Sequence, residues 1–116
     1  MNQPQATQAQ LRYLTEIPKP VEIAANLVHL CESRHQAMSM CFNLSGITLD
    51  TLAERLGVNK GTLSKVVRGR APLPLRVSLI DYMRACGNLL PLQWLAWKSG
   101  YQLVDTRILD SLREAA

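Results

Sequence analysis

Six basic side chains fall between Ile47 and Arg76, namely Arg55, Lys60, Lys65, Arg68, Arg70 and Arg76, against two acids, Asp50 and Glu54. The resulting +4 equals the formal net charge of the whole 116-residue chain, so everything outside this segment sums to neutral. From Asn59 to Arg70 there is no acid. Solvated faces usually mix signs, and a one-sign segment suits a polyanion such as a phosphate backbone. Neutralising phosphates releases counterions, so binding of that kind weakens steeply with salt.

Other chemistries find less support. His29, Cys31, His35 and Cys41 are the metal-ligand types that come closest together. His29 and Cys31, two residues apart on a helix, point about 200° from each other, and no C-x-x-C or H-x-x-x-H spacing is present. Core thiols and surface imidazoles are the plainer reading. The three cysteines, Cys31, Cys41 and Cys86, leave one unpaired, which fits reduced thiols in a cytosol better than a disulfide framework. No Gly-rich phosphate loop, G-x-S-x-G or H-E-x-x-H occurs, and the acids are scattered, so no catalytic residue, metal or cofactor is assigned.

The basic residues must be positioned by the stretch Ile47–Arg70, ITLDTLAERLGVNKGTLSKVVRGR. Leu49, Leu52, Ala53 and Leu56 recur at helical spacing, with Thr48 before them as a cap. Gly57 permits the left-handed exit that a sharp turn needs. Asn59 caps a second helix with Leu63, Val66 and Val67 inward, and Gly69 ends it. Two helices crossing at about 90–120° over a three- or four-residue turn require a small residue at the closest approach, here Ala53. They also require apolar filling of the wedge, here Leu52, Leu56, Val58, Leu63 and Val66. An αα-corner that only packs is the alternative; the charge on the outer face of the second helix argues against it.

These residues resemble the helix-turn-helix of phage Cro/repressor-like (XRE-type) regulators. The resemblance covers the 24 residues Ile47–Arg70 strongly, and GNLLPLQWLAWKSGYQLV, residues 87–104, resembles the C-terminal part of some phage-encoded regulators of the same superfamily. It implies that the second helix, Lys60 to Arg68, enters the major groove of double-stranded DNA while the first lies across the backbone. The base-facing positions would be Asn59, Lys60, Gly61, Ser64 and Lys65. Lysine can donate to guanine O6 and N7, and asparagine can pair with adenine. Thr48, Thr62, Arg68 and Arg70 fall where phosphates are contacted, which positions rather than specifies. Two departures stand out: Gly61 replaces a polar side chain, and Leu49 or Asp50 stands where such families commonly carry Gln.

Around the motif, residues 1–18 read as an N-terminal tail, Gln-rich to Gln10, with a short apolar period at Leu11, Leu14 and Ile17 stopped by Pro18 and Pro20. Val21 to Leu44 carries a long helical pattern, Ile23, Leu27, Leu30, Met38 and Cys41, with a polar interruption at Glu32–Gln36 that is a candidate break between two helices. It reads as the cover behind the motif or as a dimer surface. APLP, Ala71–Pro74, is a stiff loop. Leu75 to Cys86 reads as a helix with Leu75, Leu79, Tyr82, Met83 and Cys86 inward, and Pro91 sits in the first turn of another. Trp94 and Trp97 share a face, as lid of the core or as anchors of a protein interface. Tyr101–Val104 is expected extended, a short strand needing a partner such as its own mirror copy. Asp105 caps a last helix with Ile108, Leu109 and Leu112 apolar.

At 47% hydrophobic and 19% charged, the chain is expected to be globular. No apolar run approaches the ~18 residues of a membrane span, and no secretory signal is evident. The expectation is an all-α, five- to six-helix, lambda-repressor-like domain over residues 19–104, with 105–116 as a C-terminal helix or tail. Functionally it is a cytoplasmic, non-enzymatic transcriptional regulator of phage or prophage type that binds a two-fold-related operator as a homodimer. The competing class is a protein-interaction module, an antitoxin or phage inhibitor, that uses the motif as scaffold; a large exposed Trp94/Trp97 face would mark it.

Overall fold

The computed structural model describes residues 19–115. The tail and the apolar period at Leu11–Ile17 lie outside the described residues. Seven helices follow in order: α1 (Ala25–Val28), α2 (Arg34–Ser45), α3 (Leu49–Leu56), α4 (Lys60–Val67), α5 (Leu79–Cys86), α6 (Leu90–Lys98) and α7 (Thr106–Ala115). The fold is all-α; among the described residues the one element of β pairing is an isolated parallel bridge, Val21 to Asn88.

Local chemistry sets most of the boundaries. Ser33, Thr48, Asn59 and Ser78 each cap the helix they precede, their side-chain oxygens accepting first-turn amides. Gln36 also returns a bond to the amide of Glu32 at 2.6 Å, close to a capping box. Gly46, Gly57 and Gly87 end α2, α3 and α5 in the left-handed region.

α2 is the central element. It packs on α6, α4 and α5, and α3 closes the other side of α4 and α5. Leu52, Leu63, Tyr82, Leu90 and Cys41 are fully buried between them. The Tyr82 hydroxyl donates to the Met38 carbonyl at 2.7 Å, so the ring is buried without stranding its polar tip. Asn88, the buried polar side chain of this core, donates to the Cys41 carbonyl at 3.0 Å and accepts from the Leu90 amide at 3.2 Å. It thereby ties α2 to the start of α6.

Three expectations are corrected. The Val21–Leu44 pattern does divide into two helices, but the break falls at His29–Ser33 rather than Glu32–Gln36, and the first helix is a single turn that starts only at Ala25. The Val21 amide donates to the Gly87 carbonyl at 3.1 Å, and the Val21 carbonyl accepts from the Leu89 amide at 2.9 Å. The amide and carbonyl of Ile23 are both taken by the Gln93 side chain, at 2.8 and 2.8 Å. A backbone tied to distant groups cannot make i to i−4 bonds, so only one turn forms before the break at His29–Ser33. Leu75 does not face inward: it is 107% exposed, because α5 begins only after the Ser78 cap. Tyr101–Val104 forms no strand among the described residues; the six helices within residues 19–104 and the C-terminal helix after them are as expected.

Candidate nucleic-acid interface

The α3–turn–α4 unit is held by a few local bonds. Gly57 has φ 65°, and its amide donates to the Glu54 carbonyl while the Val58 amide reaches back to Ala53 at 3.1 Å. Leu52 and Ala53 of α3 are buried, as are Leu63, Val66 and Val67 of α4, with Leu56 and Val58 packed beside them. This apolar wedge turns one face of α4 inward. Lys60, Gly61, Thr62, Lys65 and Arg68 are left exposed, and Ser64 is half-buried at the edge.

The six basic residues of the segment divide into two groups. Arg55 donates through Nη1 to the Ala85 carbonyl at 2.7 Å, a bond to the end of α5. Arg76 donates through Nη2 to the Gly57 carbonyl at 3.0 Å, bracing the turn. Lys60 lies 3.0 Å from Asp50 across the two helices. Lys65, Arg68 and Arg70 are exposed, and their side chains form no hydrogen bond or ion pair among the described residues. Cations whose charge is not already matched are the ones able to meet external anions without first breaking a contact.

The uncharged candidates are partly engaged by the fold. The Thr48 Oγ1 accepts the Thr51 amide at 3.1 Å and donates to the Thr51 hydroxyl at 3.0 Å. Asn59 Oδ1 accepts the amides of Gly61 and Thr62 at 2.7 and 3.3 Å. Bidentate pairing with adenine uses both the oxygen and the nitrogen of the amide, so reading a base would compete with this cap. The absence of a side chain at Gly61 has a local cause: a Cβ there would sit 3.0 Å from that same cap oxygen.

The structure adds residues that no linear signal marks. Gly69, at φ 75°, carries the chain past the start of α2, where a Cβ would lie 3.2 Å from the His35 Cβ. His35, exposed, therefore lies against the Arg68–Arg70 corner, with the exposed Arg34 next to it in the chain.

Elsewhere, Trp94 and Trp97 part company. The Trp94 indole is partly buried against the core and donates to the Cys31 carbonyl at 2.9 Å. Trp97 stays half-exposed, stacked on His29 at 4.2 Å with Lys98 over its ring. Cys31, Cys41 and Cys86 are buried free thiols. A hydrogen bond with Cys86, then burial, pushes the Cys41 thiol far above its ordinary value. Among the described residues, no three His, Cys, Asp or Glu side chains gather as a metal site. No described helix is long and apolar enough to cross a membrane. Comparison with family models, with curated proteins and with solved structures returns no match for this chain.

Proposed function

We propose that the protein is a sequence-reading, double-stranded DNA-binding regulator of the Cro/repressor-like type, non-catalytic and cytoplasmic, acting as a homodimer on a two-fold-related site. The observation that carries this reading is the set of unmatched cations, Lys65, Arg68 and Arg70, at the exposed face and end of α4. α4 is backed by the apolar wedge of α3, so it is a rigid element presented edge-on, as a major-groove helix must be. Lys60, Ser64 and Lys65 lie on the outer side of this helix and are the candidates for base edges. Thr62, Arg68, Arg70 and Thr48 are the candidates for phosphates. One motif contacts few bases, so affinity calls for two copies with half-sites about 34 Å apart.

The rival reading, a protein-interaction module, calls for a large exposed Trp94/Trp97 face. Trp94 is partly buried against the core with its indole bonded to the Cys31 carbonyl, which gives that reading less support. The deciding experiment is selection of bound duplexes from random-sequence DNA, followed by titration of the selected site against salt. A two-fold-related consensus with a steep salt dependence supports the proposal. Failure to enrich any duplex, together with release from a DNA resin at low salt, refutes it.

A further inference from the structure

The C-terminal unit, residues 101–115, is incompletely partnered. α7 carries Ile108, Leu109 and Leu112 along one stripe, and they are 57%, 41% and 62% exposed. Of its charged residues, Asp110 and Glu114 lie on the opposite side of a regular helix, Arg113 lies at the flank and Arg107 at the rim of the adjoining groove. A ten-residue helix is marginal by itself in water, so this stripe calls for an apolar cover. The stripe continues into a groove lined by Val21, Leu89, Leu92, Leu103, Val104 and Ile108. Just before α7, the amides of Gln102, Leu103 and Val104 have no hydrogen-bond partner among the described residues.

We infer that this face docks a second copy of the same chain, two-fold related, with α7 against α7 and the 102–104 backbones alongside. Two features argue for a copy rather than a foreign partner. A segment with free amides and carbonyls is complemented by its own antiparallel image, so one symmetric contact supplies both a backbone partner and an apolar cover. The area also matches: the exposed parts of Val21, Leu92, Val104, Ile108, Leu109 and Leu112 amount to roughly 600 Å². With a polar rim that approaches the ~800 Å² per partner of a standard interface. The need for two copies rests on the proposed DNA reading; the location of the contact does not.

The test is sedimentation equilibrium of the full chain without DNA, for the wild type, Leu112→Asp and Leu75→Asp. Leu75 is the control: equally apolar, fully exposed, and outside this face. A wild-type dimer, weakened about tenfold or more by Leu112→Asp and unchanged by Leu75→Asp, is the expected result. Should Leu112→Asp fail to melt cooperatively, wild-type amide exchange decides: protection at 102–104 and in α7 must rise with protein concentration. A monomer at every concentration overturns the inference, whether the face is then covered by the chain's own residues 1–18 or by a different protein. A dimer indifferent to Leu112→Asp overturns it too. If no duplex is bound but the dimer responds as described, the DNA reading alone fails.

Discussion

The carboxylate of Asp50, in the first turn of α3, lies 3.0 Å from the ammonium of Lys60, the first residue of α4. The pair bridges the two helices of the proposed reading head and partly neutralises the one cation at the tip of α4. A phosphate or guanine approaching Lys60 must compete with Asp50 and also meets its negative charge. Both side chains are well exposed, so the pair contributes on the order of 0–1 kcal/mol to stability. Asp50→Asn is therefore expected to tighten duplex binding by about two- to fivefold while leaving the melting temperature nearly unchanged. Fluorescence anisotropy with a labelled duplex measures the first and a thermal melt the second. Weaker binding by Asp50→Asn would mean that the carboxylate orients Lys60 rather than restraining it.

Lys65 and Arg70 should separate by kind of effect. Lys65 projects from the body of α4, whereas Arg70 lies beyond its end. Lys65→Ala is expected to relax sequence preference, costing about 1–3 kcal/mol on the best site and little on random DNA. Arg70→Ala should weaken all duplexes about equally and reduce the slope of log K against log salt by roughly one. Competition gel shifts across a salt series report both quantities. Identical behaviour of the two variants would show that the assignment of base and phosphate roles is wrong.

Gly69 tests how the basic corner is held against α2. Its φ of 75° is a conformation that costs a side-chain-bearing residue about 1–2 kcal/mol. The Cβ added by Gly69→Ala would also press on His35 at 3.2 Å, where the helix start cannot easily yield. The variant is expected to melt lower by on the order of 10 °C. It should also bind duplex less tightly, because the Arg68–Arg70 corner shifts. A melt superimposable on that of the wild type would show that this turn is not constrained.

The α3–α4 unit was legible in the sequence because its determinants are local: caps, a turn glycine and apolar spacing within a few residues of one another. The all-α class followed for the same reason. What could not be read depends on partners far along the chain. Nothing near Ile23 announces that Gln93 will take its amide and carbonyl, so the helical period there suggests helix from Val21 where none forms before Ala25. The surplus of basic residues was visible, but not its division. That Arg55 reaches Ala85 and Arg76 reaches Gly57, leaving Lys65, Arg68 and Arg70 unmatched, is decided by packing. The approach of His35 to the Arg68–Arg70 corner likewise exists only because the chain folds Gly69 back over α2.

Acid should loosen α7 at a defined point. Lys19 lies 2.7 Å from the Asp105 carboxylate, and the Arg107 amide donates to it at 2.8 Å. The hydrogen bond from Lys19 first, and that from the Arg107 backbone next, lower the Asp105 pKa from 3.8 to about 2. Because the folded value is depressed, the stabilisation is fully present above the unfolded value near 3.8 and lost as pH falls through about 2. The carboxyl carbon-13 shift of Asp105 should titrate near the lower value, and Lys19→Ala should move the midpoint upward. A wild-type midpoint near 3.8 would mean that Lys19 does not hold the start of α7.

The buried thiols give a test of core integrity that is independent of DNA. Thiolates, not thiols, react with alkylating agents. Cys41 is pushed up by its hydrogen bond with Cys86 and by burial, and Cys31 is raised by burial. All three thiols are enclosed. Iodoacetamide at mildly alkaline pH should therefore modify none of them in the native protein at a free-thiol rate. Reaction should be slower by about a thousandfold or more, limited by opening of the fold. All three should react once the chain is unfolded in denaturant, as intact-mass measurement would count. The same raised values carry a sign for stability. The folded chain keeps its thiol protons where the unfolded chain loses them, so stability is retained below about pH 9, the ordinary thiol value, and declines above it. Rapid native alkylation of Cys41 or Cys86 would place the α2–α5 contact open to solvent, and with it the support on which α3 and α4 rest.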